Sequence, residues 1–483
     1  MSYLIQNRKP ASVFHFFEDL CAIPHPSYHE EKVADYLCAF AAERGLECYR
    51  DNLHNVLIKK PATPDRAGDA PILFQGHTDM VCVKTPDCDI DFMKDGLTLY
   101  IDGNLLRAKG TTLGADDGIA VATMLALLDG ELSSHPALEC LFTSAEEVGL
   151  DGAEGFDYSK ISARKMINMD SEDLGIITAG CAGGLRSTLT KKCASVPFAG
   201  ECLTVSLQGL FGGHSGVDIC SGRANANKLM GRLFAKWQKA EGEAHLISLN
   251  GGSKDNAIPR LSVAEVMIFQ EDAEKFAELV KEQEAILKNE LHASDAGVTL
   301  ELTCKGSGTA EVLDATSKVT ALHALNNIPN GIQAYSKDIE GLVETSLNMG
   351  IMTMDGESLK MSFAIRSSIE SAKHYLTDRV LLFVEMLGGN CEIKGDYPGW
   401  AYNPKSELRE TFIRVYREMY EKEPVVEAIH AGLECGLFTK KIDGLDSISV
   451  GPNMHNVHTS EETLEVASVQ RTWEFLCRVI AEK

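Results

Sequence analysis

The residues able to do chemistry in this chain sit where apolar runs stop. The stretch "ILFQGHTDMV" (72–81) ends its apolar part at His77, and Asp79 follows two places on. Asp116 and Asp117 open "GADDGIAVATMLALLDG", Glu146 and Glu147 follow "LECLFTSA", and Asp170 follows "MINM". His458 lies in "GPNMHNVHTSEE", behind "SISVG". Ligands of open α/β sheets gather at the carboxyl ends of strands, and each of these groups is expected at such an end or at a turn into a helix. Imidazole with carboxylate is a nitrogen and oxygen donor set. It suits zinc, cobalt or manganese, not a thiolate-bound structural zinc. His77, Asp116, Glu147, Asp170 and His458 make up a five-ligand set, with His455 a nearby rival to His458. If Asp116 bridges, two metal ions each take one histidine, one terminal carboxylate and one shared oxygen, with a water or hydroxide between them. Two cations roughly 3.5–4 Å apart lower the pKa of such a water and polarise a carbonyl. Glu146, beside a ligand but free, is the expected general base, passing the water's proton to a leaving nitrogen. Asp79 is expected to hold the other nitrogen of His77 and so fix its tautomer.

These groups need elements to carry them. "NVLIKK", "APILFQGHTD", "ALECLFTSA" and "KMINMD" read as strands. Residues 27–46 read as a helix capped by Ser27 with Glu30 three places on, and a second helix runs from about Ile119 to Leu128. Strands alternating with helices predict an α/β domain with a mostly parallel sheet flanked by helices. After about residue 186 the pattern changes. "LRSTLTKK", "ECLTVSLQGL", "GVTLELTCKG" and "SLKMSFAIRSS" alternate with period two, and helices fall at 223–240, 272–291 and in "SAKHYLTDRVLLFVEMLGG". This block reads as an inserted α+β domain. The expected division is a catalytic domain at 1–186 plus 392–483 and an insert at 187–391, with "DSISVGP" as the last strand.

Bulk properties narrow the function. The net charge of 46 − 70 = −24 argues against nucleic acid and anionic membrane surfaces, which call for clustered Lys and Arg. The start "MSYLIQNRKPASVFHFFEDL" lacks the pattern of an export signal, and no apolar run reaches the length of a span. The 14 cysteines show no C-x-x-C spacing and are expected to be reduced thiols of a cytoplasmic protein.

The motifs "GHTDMV", "GADDGIA", "SAEEVGL", "INMDSED", "GGHSGVDI" and "HTSEE" resemble those of the M20 family of metallopeptidases over essentially the whole chain. "HAGLECGLF" (430–438) and "DNAIPR" (255–260) resemble its aminoacyl-histidine dipeptidase branch. The resemblance matches His77, Asp116, Glu147, Asp170 and His458 to metal ligands, Glu146 to the base and Asp79 to the residue behind the first histidine. It selects His458 over His455, because two glutamates follow it at family-like spacing. It also implies a cis peptide between Asp116 and Asp117, a lid formed by the insert, and a role for His214 in steadying an oxyanion. Asn256 and Arg366 are the implied substrate contacts on the lid. Arg366 suits a terminal carboxylate, and Glu434 would receive a free amino terminus. The expected cofactors are two zinc ions, with cobalt or manganese as alternatives.

The function expected is hydrolysis of Xaa-His and other unblocked dipeptides. A deacylase or carboxypeptidase acting on N-acyl amino acids is the alternative within hydrolases. A non-catalytic metal-binding scaffold is the alternative outside them, and the intact Glu146 argues against it. The sequence has no G-x-S-x-G elbow, no H-E-x-x-H helix, no P-loop and no complete G-x-G-x-x-G. The insert is expected either to form a homodimer or to hold two halves that make a partner unnecessary.

Overall fold

The computed structural model describes every residue except Met1, Ser2, Gln6, Asn7, Glu131 and Lys483. The chain forms two compact units. One comprises residues 1–181, 400–428 and 433–483, and the other residues 182–399 and 429–432. The expected cuts after residues 186 and 391 both fall inside strands of the second unit, which run Gly183–Lys192 and Asn390–Tyr397. The second unit begins a few residues before the alternation in its first strand does, and its last strand returns to pair with that first one.

The first unit is built on an eight-stranded sheet. Its order is Glu47–Arg50, Val56–Lys60, Leu138–Thr143, Ile72–His77, Lys165–Asn168, Asp446–Ser449, Ile176–Cys181 and Val425–Ile429. From Leu138–Thr143 to Asp446–Ser449 the neighbours are parallel, whereas Glu47–Arg50 with Val56–Lys60, Val56–Lys60 with Leu138–Thr143, and Asp446–Ser449 with Ile176–Cys181 pair antiparallel. The sheet is therefore mixed, parallel where the expected ligands follow its strands. Those central strands are buried almost throughout because both faces are covered, as in parallel sheets generally. The Ala115–Leu128 helix is buried on nearly every side and crosses close under the Ile72–His77 strand. Gly76 allows this approach, because a Cβ there would lie 2.9 Å from that of Ala120.

Two local expectations need correction. The helix expected over 27–46 runs Glu31–Glu43, and Ser27 does not cap it. Ser27 Oγ instead donates to Asp79 Oδ2 at 2.7 Å, a stronger partner than a solvated helix end. Asp446–Ser449 is not the last strand. Met454–His455 and Thr463–Glu465 follow and join Leu105–Ala108 and Leu99–Asp102 in a small antiparallel sheet, before the helix Val466–Ile480.

The second unit has its own hydrophobic core around a nine-stranded sheet. Its two halves repeat one order of main elements: helix, strand, strand, helix, strand. The first half uses Ala226–Lys239, His245–Gly251, Ser262–Ile268, Ala273–Glu290 and Thr299–Leu313. The second uses Ala315–Asn327, Val343–Met354, Ser358–Ser367, Glu370–Met386 and Asn390–Tyr397. The halves meet where His245–Gly251 pairs antiparallel with Val343–Met354, and the strand order reads outward symmetrically from that seam. Among the described residues no helix is long and apolar enough to cross a membrane.

Candidate metal centre

Sheet order brings the dispersed ligands together. His77 closes its strand opposite Thr143, and Gln75 lies opposite Asn168, so the turns carrying Glu146, Glu147 and Asp170 leave the sheet beside His77. The Asp446–Ser449 strand runs parallel to Lys165–Asn168, and the chain after it delivers His458. Asp116 comes from the start of the Ala115–Leu128 segment, where Asp116 and Asp117 depart from helical geometry and their peptide bond is cis.

The ligand atoms fall into two triads that share one residue. His77, Asp116 and Asp170 offer atoms within 4.8 Å of one another, and so do Asp116, Glu147 and His458. His77 Nε2 lies 3.0 Å from Asp116 Oδ1, and His458 Nε2 lies 3.0 Å from Asp116 Oδ2 and 2.8 Å from Glu147 Oε1. The two oxygens of Asp116 thus face different histidines, as a bridging carboxylate requires. His77 and Glu147 also group with Glu146.

The electrostatics fit a pair of cations. Burial, reinforced by Asp116 and Asp117 and opposed by His77, holds Asp170 well above the usual carboxylate range. Burial, opposed by His77 and reinforced by Glu434 and Glu147, pushes Glu146 up to about 8. Hydrogen bonds to Asp116 and Glu147 raise His458 to about 10. Burial alone would raise Asp116, but His458 and His77 hold its carboxyl low. Among the described residues no lysine or arginine forms an ion pair with this cluster. Buried carboxylates in such excess call for bound positive charge, and the oxygen and imidazole donors match divalent zinc, cobalt or manganese. The grouping of Glu370, His374 and Asp396 in the second unit is different. There Lys373 Nζ lies 3.1 Å from Glu370 and 2.7 Å from Asp396, so a side-chain ammonium already fills the place of a cation.

Buried polar residues hold the ligand-bearing turns. His77 Nδ1 lies 3.0 Å from the carbonyl oxygen of Asp79 and 3.5 Å from its carboxylate, so the backbone is the nearer acceptor. The Asp79 carboxylate accepts the N–H groups of Glu146 at 2.9 Å and Glu147 at 3.2 Å. Ala145, at φ 51, donates its N–H to Glu30 at 2.9 Å, and Ser144 donates to Asn55 at 3.0 Å. Asp117 accepts the N–H of His77 at 3.2 Å. The sequence reading assigned no such role to Glu30, Asn55 or Asp117. Their partners are backbone N–H groups of distant segments, which leave no local pattern. Glu434, fully buried, accepts from Gln75 Nε2 at 2.5 Å and Thr143 Oγ1 at 2.8 Å, while its Oε1 has no partner. Burial pushes it up to about 7.

His214, Asn256 and Arg366 belong to the second unit. His214 Nδ1 accepts the N–H groups of Gly216 at 3.3 Å and Val217 at 3.4 Å, and its Nε2 lies 3.4 Å from Arg366 Nη2, which can only donate. Burial and Arg366 lower the pKa of His214 and favour the neutral ring. Arg366 Nη1 donates to Tyr397 Oη at 3.1 Å, and its Nε has no partner. His430 Nδ1 and Ser215 Oγ are also buried without partners. Asn256 is held through its carbonyl, which accepts from Ser215 N at 2.8 Å.

The Peptidase dimerisation domain of the M20 family matches residues 205–295, in the first half of the second unit. The chain is 39% identical over 475 residues to the cytosol non-specific dipeptidase of Escherichia coli (strain K12), covering 98% of each. It superposes on the aminoacylhistidine dipeptidase of Vibrio alginolyticus with a TM-score of 0.93 at 38% identity, covering 99% of this chain and 97% of that one. Aminopeptidase PepT of Bacillus cereus shares the fold, with a TM-score of 0.57 at 16% identity and 98% of each chain covered. With 39% identity running almost from end to end, this chain belongs to the M20 family of metallopeptidases.

Proposed function

We propose that this chain is a metal-dependent dipeptidase that cleaves the peptide bond of unblocked dipeptides, Xaa-His among them. The observation that carries the reading is the pair of ligand triads sharing Asp116, with Glu146 beside them and outside that five-residue set. The names of the Escherichia coli and Vibrio alginolyticus relatives support it. His77, Asp116 and Asp170 would hold one ion, and Asp116, Glu147 and His458 the other. When bound, two divalent cations make a water acidic and polarise the scissile carbonyl. Zinc is the first choice, with cobalt or manganese as alternatives.

The protein's own groups do the rest. Glu146 takes a proton from the attacking water and gives it to the leaving nitrogen. Its raised affinity for a proton suits both halves of that task. Glu434 receives the substrate's amino terminus, supported by its unpartnered Oε1 and by a position close enough for its charge to act on Glu146. His214 steadies the developing oxyanion. Arg366, with its free Nε, binds the substrate carboxylate, and Asn256 contacts the peptide. A cytoplasmic location is supported by the name of the Escherichia coli relative. A homodimer through the second unit is supported by the dimerisation-domain match.

The test is a substrate panel with defined metal: Ala-His, β-Ala-His, Gly-Gly, a tripeptide and an acetylated amino acid. The expected result is turnover of unblocked dipeptides and none of the acetylated compound. Preference for the acetylated compound would replace this reading with the deacylase alternative.

A further inference from the structure

Glu462, the second glutamate of "HTSEE", is 2% exposed and grips a single loop. Its Oε2 accepts the N–H groups of Leu113 at 2.8 Å and Gly114 at 3.2 Å. Its Oε1 accepts those of Ala115 at 2.8 Å and Asp116 at 3.4 Å. These donors open the Ala115–Leu128 segment, whose own cap residue, Gly114, has no side chain to satisfy them. Glu462 stands four residues after His458 and is fixed to that turn by its N–H, which donates to the Thr459 carbonyl at 3.2 Å. One buried carboxylate thus joins the loop presenting Asp116 to the turn presenting His458. Asp116 is the residue common to both ligand triads.

We infer that Glu462 is a positioning residue of the metal centre, which sets the Asp116 loop and the His458 turn in register before any cation binds. The inference rests on the two-metal reading above. A carboxylate is acceptor-only, and each of its oxygens can take two N–H groups. A glutamine keeps the shape but has one oxygen, so its NH₂ would confront two of the four donors. An aspartate keeps the charge but falls one methylene short of the loop.

The test compares the parent with Glu462→Gln and Glu462→Asp. Zinc content is measured by mass spectrometry over a series of buffered free Zn²⁺ concentrations, alongside kcat and KM. In both variants the free zinc needed for half-occupancy should rise roughly 10–100-fold, and kcat should fall while KM changes little. Half-occupancy within about twofold of the parent overturns the inference, even if the variants melt earlier. A parent that takes up no zinc overturns the two-metal reading itself, a separate outcome. If neither variant folds, amide hydrogen exchange of the parent carries the test. The Leu113–Asp116 amides should stay protected in both zinc-loaded and chelator-stripped protein. Loss of protection on stripping would mean that metal, not Glu462, sets the loop.

Discussion

Replacing Asp79 with alanine should damage the centre chiefly on its Glu147 side. The Asp79 carboxylate accepts three close bonds: from Ser27 Oγ at 2.7 Å, Glu146 N at 2.9 Å and Glu147 N at 3.2 Å. Alanine leaves the two N–H groups without acceptors. Each such loss costs about 1–3 kcal/mol, and the turn is only partly buried, so the lower end applies and the sum is about 2–3 kcal/mol. His77 is less affected, because its Nδ1 keeps the carbonyl of residue 79 at 3.0 Å whatever the side chain. The triad containing Glu147 should therefore lose affinity by roughly 10–100-fold, and the triad containing His77 and Asp170 should lose less. Activity should fall as well, because the same turn carries Glu146. The assay is stepwise zinc binding with anomalous diffraction at the zinc edge, to see which position empties first. If the His77 position empties first, or if both affinities stay within about twofold of the parent, Asp79 does not act through the Glu146–Glu147 turn.

Three other outcomes are expected. Glu146→Gln should lower kcat by roughly 10²–10⁴ with zinc content unchanged, and activity near the parent's would remove Glu146 as the base. Arg366→Lys should raise KM for dipeptides by roughly 10–100-fold through loss of a charge-assisted fork, whereas an unchanged KM would place the carboxylate elsewhere. His430 has an ordinary value of 6.5, and burial, helped by Arg366 and His214, lowers it to about 4. Between those values the unfolded chain binds a proton that the folded chain refuses. Its stabilising contribution is full above pH 6.5 and falls by about 3 kcal/mol as the pH drops to 4. Denaturant titrations at pH 7 and 4.5 should show a smaller loss in His430→Gln than in the parent, and an equal loss would contradict this.

The sequence by itself determined the donor types and their places at the ends of apolar runs. His77, Glu147 and Asp170 are legible because buried parallel strands are rich in apolar residues, and a polar group just beyond an apolar run marks the sheet's carboxyl edge. It also marked the change of period near residue 186, because a sheet covered on one face alternates. Only the tertiary structure decided which strands are neighbours, and hence that His77 lies between the turns carrying Glu146 and Asp170. Ser27 shows the limit: from sequence it looks like a helix cap, yet its partner is Asp79. Glu462 and Glu30 show it again, since each holds N–H groups of a segment remote in sequence. The size of the insert allowed for two halves, but their repeat lies in the order of elements and the pairing at the seam, which no short stretch displays. Local periodicity records which face of a segment is buried. Hydrogen bonds between distant segments depend on how the chain is threaded, which no short stretch of residues encodes.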